Sequence, residues 1–208
     1  MFILIGLGSI ICYSILLYST KKHKNYEKRE LNKEYYITTC INVFLSILLY
    51  SIVLNSNYLN FTIKFPNILN IISYLLIVDA LYYWVHRIIH RMPFLKKLLH
   101  LTHHDAFHLI PLDILLINYK EYTLYLLMIG LIPLFFLKIN IIEYLIVTII
   151  MTSHSVYCHS ETKEKFILPL FIDSKYHKYH HQKGKGNYSV YFRLWDDFMG
   201  TRIKNAKK

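Results

Sequence analysis

The chain has 208 residues, 54% of them hydrophobic and 18% charged, with a formal net charge of +11. Its mean hydropathy of +0.30 is too apolar for an ordinary soluble domain, and the apolar residues come in blocks. Basic residues set between such blocks exclude a nucleic-acid partner and suit a face turned to anionic lipid.

Residues 1–20 carry no charge, and about 20 residues at about 1.5 Å rise match a bilayer core of about 30 Å. Positive charge follows this block, in the run KKHKNYEKRE at 21–30, whereas a cleaved signal peptide carries it in front. Residues 1–35 are therefore read as an N-terminal membrane anchor and a basic cytosolic loop, with His23 in solvent. Residues 36–208 form the second unit.

A second apolar block covers 36–54. A third begins after Pro66 and reaches Trp84, where Tyr82, Tyr83 and Trp84 suit interfacial anchoring. Two shorter blocks, 122–137 and 139–153, are each brief for a full span, and Pro133 interrupts the first. They read as a tilted pair or a re-entrant hairpin. With 21–35 in the cytosol, all but Lys64 and Lys138 of the 24 Lys and Arg fall on that side, and so does every histidine.

The chain is organised around 79–104, DALYYWVHRIIHRMPFLKKLLHLTHH. His86 and His90 are four apart and stack on one helical face, with about 6 Å between their β-carbons. His100, His103 and His104 form HxxHH, again one face. Asp79, Tyr83, His86 and His90 make a continuous stripe, so Asp79 is expected to orient the first imidazole. HxxHH recurs as His177, His180 and His181. Between the two lie His154 and His159, whose five-residue spacing lies off one helical face; His154 is the stronger candidate, because His159 leaves the helix. His108 reads as an ordinary hydrogen-bonded residue.

Neutral imidazole binds Zn, Fe, Cu and Ni readily, and a tetrahedral site takes only four ligands. Ten histidines in these groups imply two metal ions. The three cysteines include no CxxC pair, which excludes a disulfide framework and a zinc ribbon. Cys12 and Cys40 read as packing residues, and Cys158 is outcompeted as a ligand. The glycines in KGKGNY lack the spacing of a phosphate loop and read as a flexible turn.

HxxxH, HxxHH, a membrane-edge histidine and a final HxxHH followed by NY, WD and GT resemble the fatty acid hydroxylase superfamily. The likeness covers about 79–201 and is closest to the sterol-oxidising branch, through Asn187–Tyr188, Trp195–Asp196 and Gly200–Thr201. It implies an all-α integral membrane protein of four to five membrane helices or re-entrant segments, with a cytosolic helical cap. The implied centre is two iron ions, or zinc as purified, held by His86, His90, His100, His103, His104, His154, His177, His180 and His181, with His159 as a tenth candidate. Asp79, Glu121, Asn187 and Asp196 would orient these ligands.

The implied reaction hydroxylates a sterol, fatty acyl chain or sphingolipid with O2 and two electrons from cytochrome b5 or a similar separate donor, in the endoplasmic reticulum. Desaturation on the same scaffold is the alternative, and a non-catalytic membrane metal-binding protein is the rival from another class. Two departures leave the substrate open. Sterol-branch members often carry a histidine, a proline and an acid downstream of the first HxxHH. This chain has Asn118, Tyr119, Lys120 and Glu121 there, keeping only the acid. After His154 it reads SVY where many members have glycine.

Overall fold

The computed structural model describes residues 14, 16, 18, 20–26, 33–104, 108–164 and 170–203. The uncharged N-terminal block, with Cys12, falls almost wholly outside the described residues. The described chain is mainly helical. Helix α1 is Lys33–Leu54, α2 Ile68–Arg91, α4 Tyr119–Leu126, α5 Ile141–Cys158, α6 Ser174–Lys183 and α7 Leu194–Phe198. Between α2 and α4 lies α3, a continuous helical run of Pro93–Leu95, a π turn at Lys96–His100, and Leu101–His104. Among the described residues three helices, α1, α2 and α5, are long and apolar enough to cross a membrane.

The end of the bundle remote from the histidines is pinned by polar caps. Asn140 caps α5, its Oδ1 accepting from the amides of Ile142 and Glu143, while Glu143 accepts from the Asn140 amide at 2.9 Å. The same carboxylate accepts from the Asn67 amide at 2.7 Å, and Asn67 caps α2. Strands β1, Leu59–Asn60, and β2, Ile139–Asn140, pair in parallel beside these caps. Both helices therefore start together, and their 24 and 18 residues rise about 36 and 27 Å to the opposite end. There they deliver His86, His90 and the segment ending in His159.

The short apolar pair at 122–153 resolves into unequal members. Its second half is α5, a full-length helix. Its first half is broken: α4 gives way to a π turn at Leu127–Leu131 and a 3-10 turn at Ile132–Phe135. Gly130 and Pro133 supply the break. Leu49 packs so close that a β-carbon on Gly130 would lie 2.9 Å from it, and Pro133 has no amide to continue the α pattern. The first half nonetheless runs the length of the bundle, since it starts beside His100 and leads into β2, and α5 returns to the histidine end.

Tyr74, Tyr82, Tyr144, Val78, Val147 and Met151 form the core between α2 and α5. The interfacial reading of Tyr82 and Tyr83 is overturned, since both are buried, while Trp84 is exposed. One helical turn cannot send three consecutive side chains to one face. Cys40 lies on the exposed side of α1. His23 is docked rather than solvated, with its ring Nε2 2.7 Å from the Ser160 carbonyl. Beside it Asn25 donates to the Leu109 carbonyl and Lys24 to that of Glu161, so 23–25 are held against the histidine end.

Candidate metal centre

Nine imidazoles collect at this end in two groups. His86, His90, His100, His104 and His180 form the first, and His103, His159, His177 and His181 the second; within each, one nitrogen per ring lies within 4.8 Å of the others. Helical spacing explains the partition. The i,i+4 pairs His86/His90 and His100/His104 from α2 and α3 face each other, and His177/His181 on α6 serve the second group. The remaining member of each HxxHH crosses over: His103 to the second group, His180 to the first. The rings of His104 and His181 are 4.9 Å apart, so the two groups are neighbours.

The outer nitrogens are tied down. His86 Nδ1 donates to the Tyr188 carbonyl at 2.8 Å, His90 Nδ1 to Gly184 at 3.0 Å and His180 Nδ1 to Gly186 at 2.8 Å. His159 Nδ1 donates to Ser155 at 2.8 Å, and His100 Nδ1 to the Glu121 carboxylate. These bonds fix the proton on Nδ1 and leave Nε2 with its lone pair.

Those lone pairs point at one another. Nε2 of His86 lies 3.0 Å from that of His100, and His104 Nε2 lies 3.1 Å from both His90 and His180. In the second group, His177 Nε2 is 3.2 Å from its counterparts in His159 and His181. Facing lone pairs at such distances repel unless a cation lies among them. Two imidazoles bound to one ion at about 2.0–2.1 Å place their nitrogens roughly 2.8–3.4 Å apart, so the spacing fits metal ligation.

Buried Nδ1 atoms of His103 and His181, without a hydrogen-bond partner among the described residues, add to the polar demand of the site. Burial, reinforced by neighbouring imidazoles, pulls the rings of His100, His103, His177 and His181 well below the usual histidine range. The same effect holds His104 and His180 at about 3, and burial alone holds His159 at about 4. All seven rings are neutral at pH 7, the form that ligates.

The structure places the two intermediate histidines opposite to the sequence expectation. His159 enters the second group. His154 stays outside both, with Nε2 3.1 Å from the Ile172 carbonyl and Cys158 Sγ at 3.6 Å. Helix α5 ends at Cys158, and His159, as its C-cap, turns its ring back toward α6. Leaving the helix is what brings it into the site.

Of the four expected orienting groups, Glu121 contacts an imidazole. Asp79 Oδ1 instead accepts from the amides of Tyr191 and Phe192, each at 3.1 Å, fastening the segment after α6 to α2. Asp196 accepts from the amides of Tyr188 and Ser189 and the hydroxyls of Tyr176 and Thr201. Asn187, at φ 51°, donates to the Tyr176 carbonyl and accepts from the Ile203 amide. Asp196 and Asn187 shape the loop whose carbonyls hold the imidazoles. Sequence reading missed those carbonyls; the two glycines of KGKG were the available signal.

A cavity of about 130 Å³ runs from the second group into the bundle. His103, His159 and His177 close one end, and Tyr50, Tyr82 and Met151 are among the side chains along it.

A family model described as fatty acid hydroxylase matches residues 71–201. Methylsterol monooxygenase erg25A of Aspergillus fumigatus is 31% identical over 158 residues, 69% of this chain and 51% of its own length. Lathosterol oxidase of Rattus norvegicus is 27% identical over 211 aligned positions, 91% of this chain and 67% of its own length. Very-long-chain aldehyde decarbonylase CER1 of Arabidopsis thaliana is 28% identical over 136 residues, covering 60% of this chain and 22% of that protein. The chain thus spans about half the length of the methylsterol monooxygenase. No solved structure matches.

Proposed function

The chain belongs to the fatty acid hydroxylase family, and from that premise we propose that it is a membrane oxidoreductase that hydroxylates a lipid with O2 at a two-metal centre. The carrying observation is the pair of adjacent imidazole groups opening on a cavity inside the membrane bundle. A redox metal such as iron supplies the O2 reduction that zinc cannot. His86, His90, His100, His104 and His180 would hold one ion, and His103, His159, His177 and His181 the other. Residues 36–208 would be the catalytic unit, with 1–35 as membrane anchor and basic cytosolic loop.

The chain's own residues do three things in this reading. The Nδ1 hydrogen bonds keep the imidazoles neutral, oriented and presented through Nε2. The cavity admits a lipid segment from within the bundle, where burial keeps water from the reacting carbon. Its volume, about four waters' worth, suits part of an acyl chain or one edge of a ring system rather than a whole lipid. A sterol is favoured by two similar proteins, a methylsterol monooxygenase and a lathosterol oxidase. The histidine end is read as cytosolic, because among the described residues Lys64 and Lys138 lie together at the remote end while Lys96, Lys178, Lys183 and Lys185 lie at the histidine end. Endoplasmic reticulum is the membrane proposed.

Desaturation is the second reading, favoured by the lathosterol oxidase likeness. Lipid mass spectrometry on cells expressing the chain under 18O2 separates the two. Hydroxylation predicts a lipid carrying one 18O that vanishes with His180→Ala. A lipid lighter by two hydrogens and unlabelled supports desaturation, and no difference from the variant contradicts both.

A further inference from the structure

The two imidazole groups are held in different ways. In the first, the Glu121 carboxylate and the carbonyls of Gly184, Gly186 and Tyr188 fix the rings through Nδ1. In the second, the buried Nδ1 atoms of His103 and His181 have no such partner among the described residues. His159 Nδ1 bonds only to the Ser155 carbonyl, at the end of its own helix. These rings therefore take their places from the backbone segments that carry them, and whatever joins those segments sets the site.

The segments meet at Glu161. One carboxylate oxygen accepts from the Leu109 amide at 3.0 Å, and Leu109 lies six residues after His103. The other accepts from the Lys178 ammonium at 2.6 Å, and Lys178 follows His177 on α6. Glu161 itself stands two residues after His159. The loop before α1 closes the arrangement. Asn25 is buried, hydrogen-bonds the same carboxylate and donates to the Leu109 carbonyl at 3.1 Å. Lys24 donates to the Glu161 carbonyl at 3.0 Å.

Two features separate this carboxylate from an ordinary surface ion pair, which contributes little. Its side chain is only 8% exposed, and it joins segments distant in sequence. Its backbone is also left-handed, with φ 42°, a region that residues other than glycine seldom adopt and keep only where the surroundings impose it.

We infer that Glu161 is the positioning residue of the second metal position, holding His103, His159 and His177 at the separation that lets them share one ion. The inference rests on the two-metal reading. Glu161 belongs to neither imidazole group and acts through the segments that carry these histidines. Without its carboxylate the Leu109 amide loses an acceptor and Lys178 its counter-charge. The Nε2 atoms of His159 and His177, now 3.2 Å apart, then lose their common focus. The first group has its own ties, so its ion stays. The effect of Glu161 is therefore selective between two neighbouring ions, which a general loss of stability is not.

The test uses the full chain in nanodiscs, loaded with ferrous iron, with affinity read by competition against a chelator. Wild-type protein should hold two ions. In an H86A/H180A background, which leaves only the second position, E161A should weaken iron binding about tenfold or more. In an H103A/H177A background, which leaves only the first, E161A should change nothing. E161Q, whose amide oxygen still accepts from Leu109, should recover part of the loss. K178M, which removes only the ammonium, should show the same selectivity in smaller measure, and serves if E161A does not fold. E143A breaks the caps of α2 and α5 at the remote end, so it should lower the melting temperature while both positions keep their affinity. Unchanged affinity of the second position in E161A overturns the proposal. So does equal weakening of both positions, or the same weakening in E143A, since either would make Glu161 a general support of the fold. One ion in the wild type would contradict the two-metal reading itself, and that count is taken before any Glu161 variant is made.

Discussion

His100 has no exposed surface, and its two ring nitrogens do different work: Nδ1 meets Glu121, while Nε2 faces His86. Removing the carboxylate leaves a buried N–H without an acceptor and a ring free to rotate. Glu121→Ala should lower metal affinity roughly 10–100-fold, read as metal retained against a chelator, whereas Glu121→Gln should lose less. Unchanged retention in the alanine variant would remove Glu121 from the centre. Asn118 begins α4 as its cap, accepting from the Lys120 amide, so the departure from the sterol-branch pattern is absorbed by a helix start while the acid still reaches His100. The two intermediate histidines give a sharper comparison. His159→Ala should lose metal from the second group, while His154→Ala should keep both metals and lose stability through the cavity it leaves. Metal analysis of the two variants showing the reverse would restore the sequence-based preference for His154.

Among the elements, the two HxxHH motifs were legible in full, because helical spacing alone puts i and i+4 on one face. Their division between two groups was not. It depends on how α3 and α6 lie against α2, and the π turn at Lys96–His100 resets the phase of α3 at the first of its histidines. The role of 184–188 was legible only as glycine content, since φ signs and carbonyl directions are tertiary facts. They yield a prediction at this scale. A β-carbon on Gly186 would lie 2.6 Å from the Thr201 carbonyl oxygen, whereas one on Gly200 meets nothing within 4 Å; both have positive φ. Gly200→Ala should cost about 1 kcal/mol from backbone strain alone, and Gly186→Ala clearly more, with loss of metal as the turn shifts. Thermal melts and metal content of the pair check this; equal effects would contradict it. Asp79 shows the limit of stripe arguments. Helical spacing put it on the stripe of His86, but the segment after α6 brings the amides of Tyr191 and Phe192, which occupy its Oδ1 instead.

For the whole molecule, the apolar blocks foretold the bundle because membrane helices carry their signal locally. The broken segment at 119–135 was legible as short and proline-containing, with a tilted pair and a re-entrant hairpin both open, because its depth depends on β2, just after it, pairing with β1 and on the docking of Glu121 on His100. Collecting neutral imidazoles has a consequence for stability. Unfolded histidines titrate near about 6.5, while burial holds His104 and His180 at about 3 and His159 at about 4. Between those values the unfolded apoprotein binds more protons than the folded one. Stability is therefore full above about pH 6.5 and is lost as pH falls toward the folded values. The melting temperature of metal-free protein should drop on going from about pH 7.5 to about pH 5. A flat or rising trend would mean that the rings are not buried in the neutral form.

The most direct measurement is the number of iron ions per chain in protein purified under reducing, anaerobic conditions and reconstituted with ferrous iron. Two adjacent imidazole groups predict two ions in the wild type. They predict one in H103A/H177A, which removes ligands only from the second group, and one in H86A/H180A, which removes them only from the first. A single ion in the wild type, or a wild-type count in both double variants, would contradict the two-metal centre on which the proposed chemistry stands.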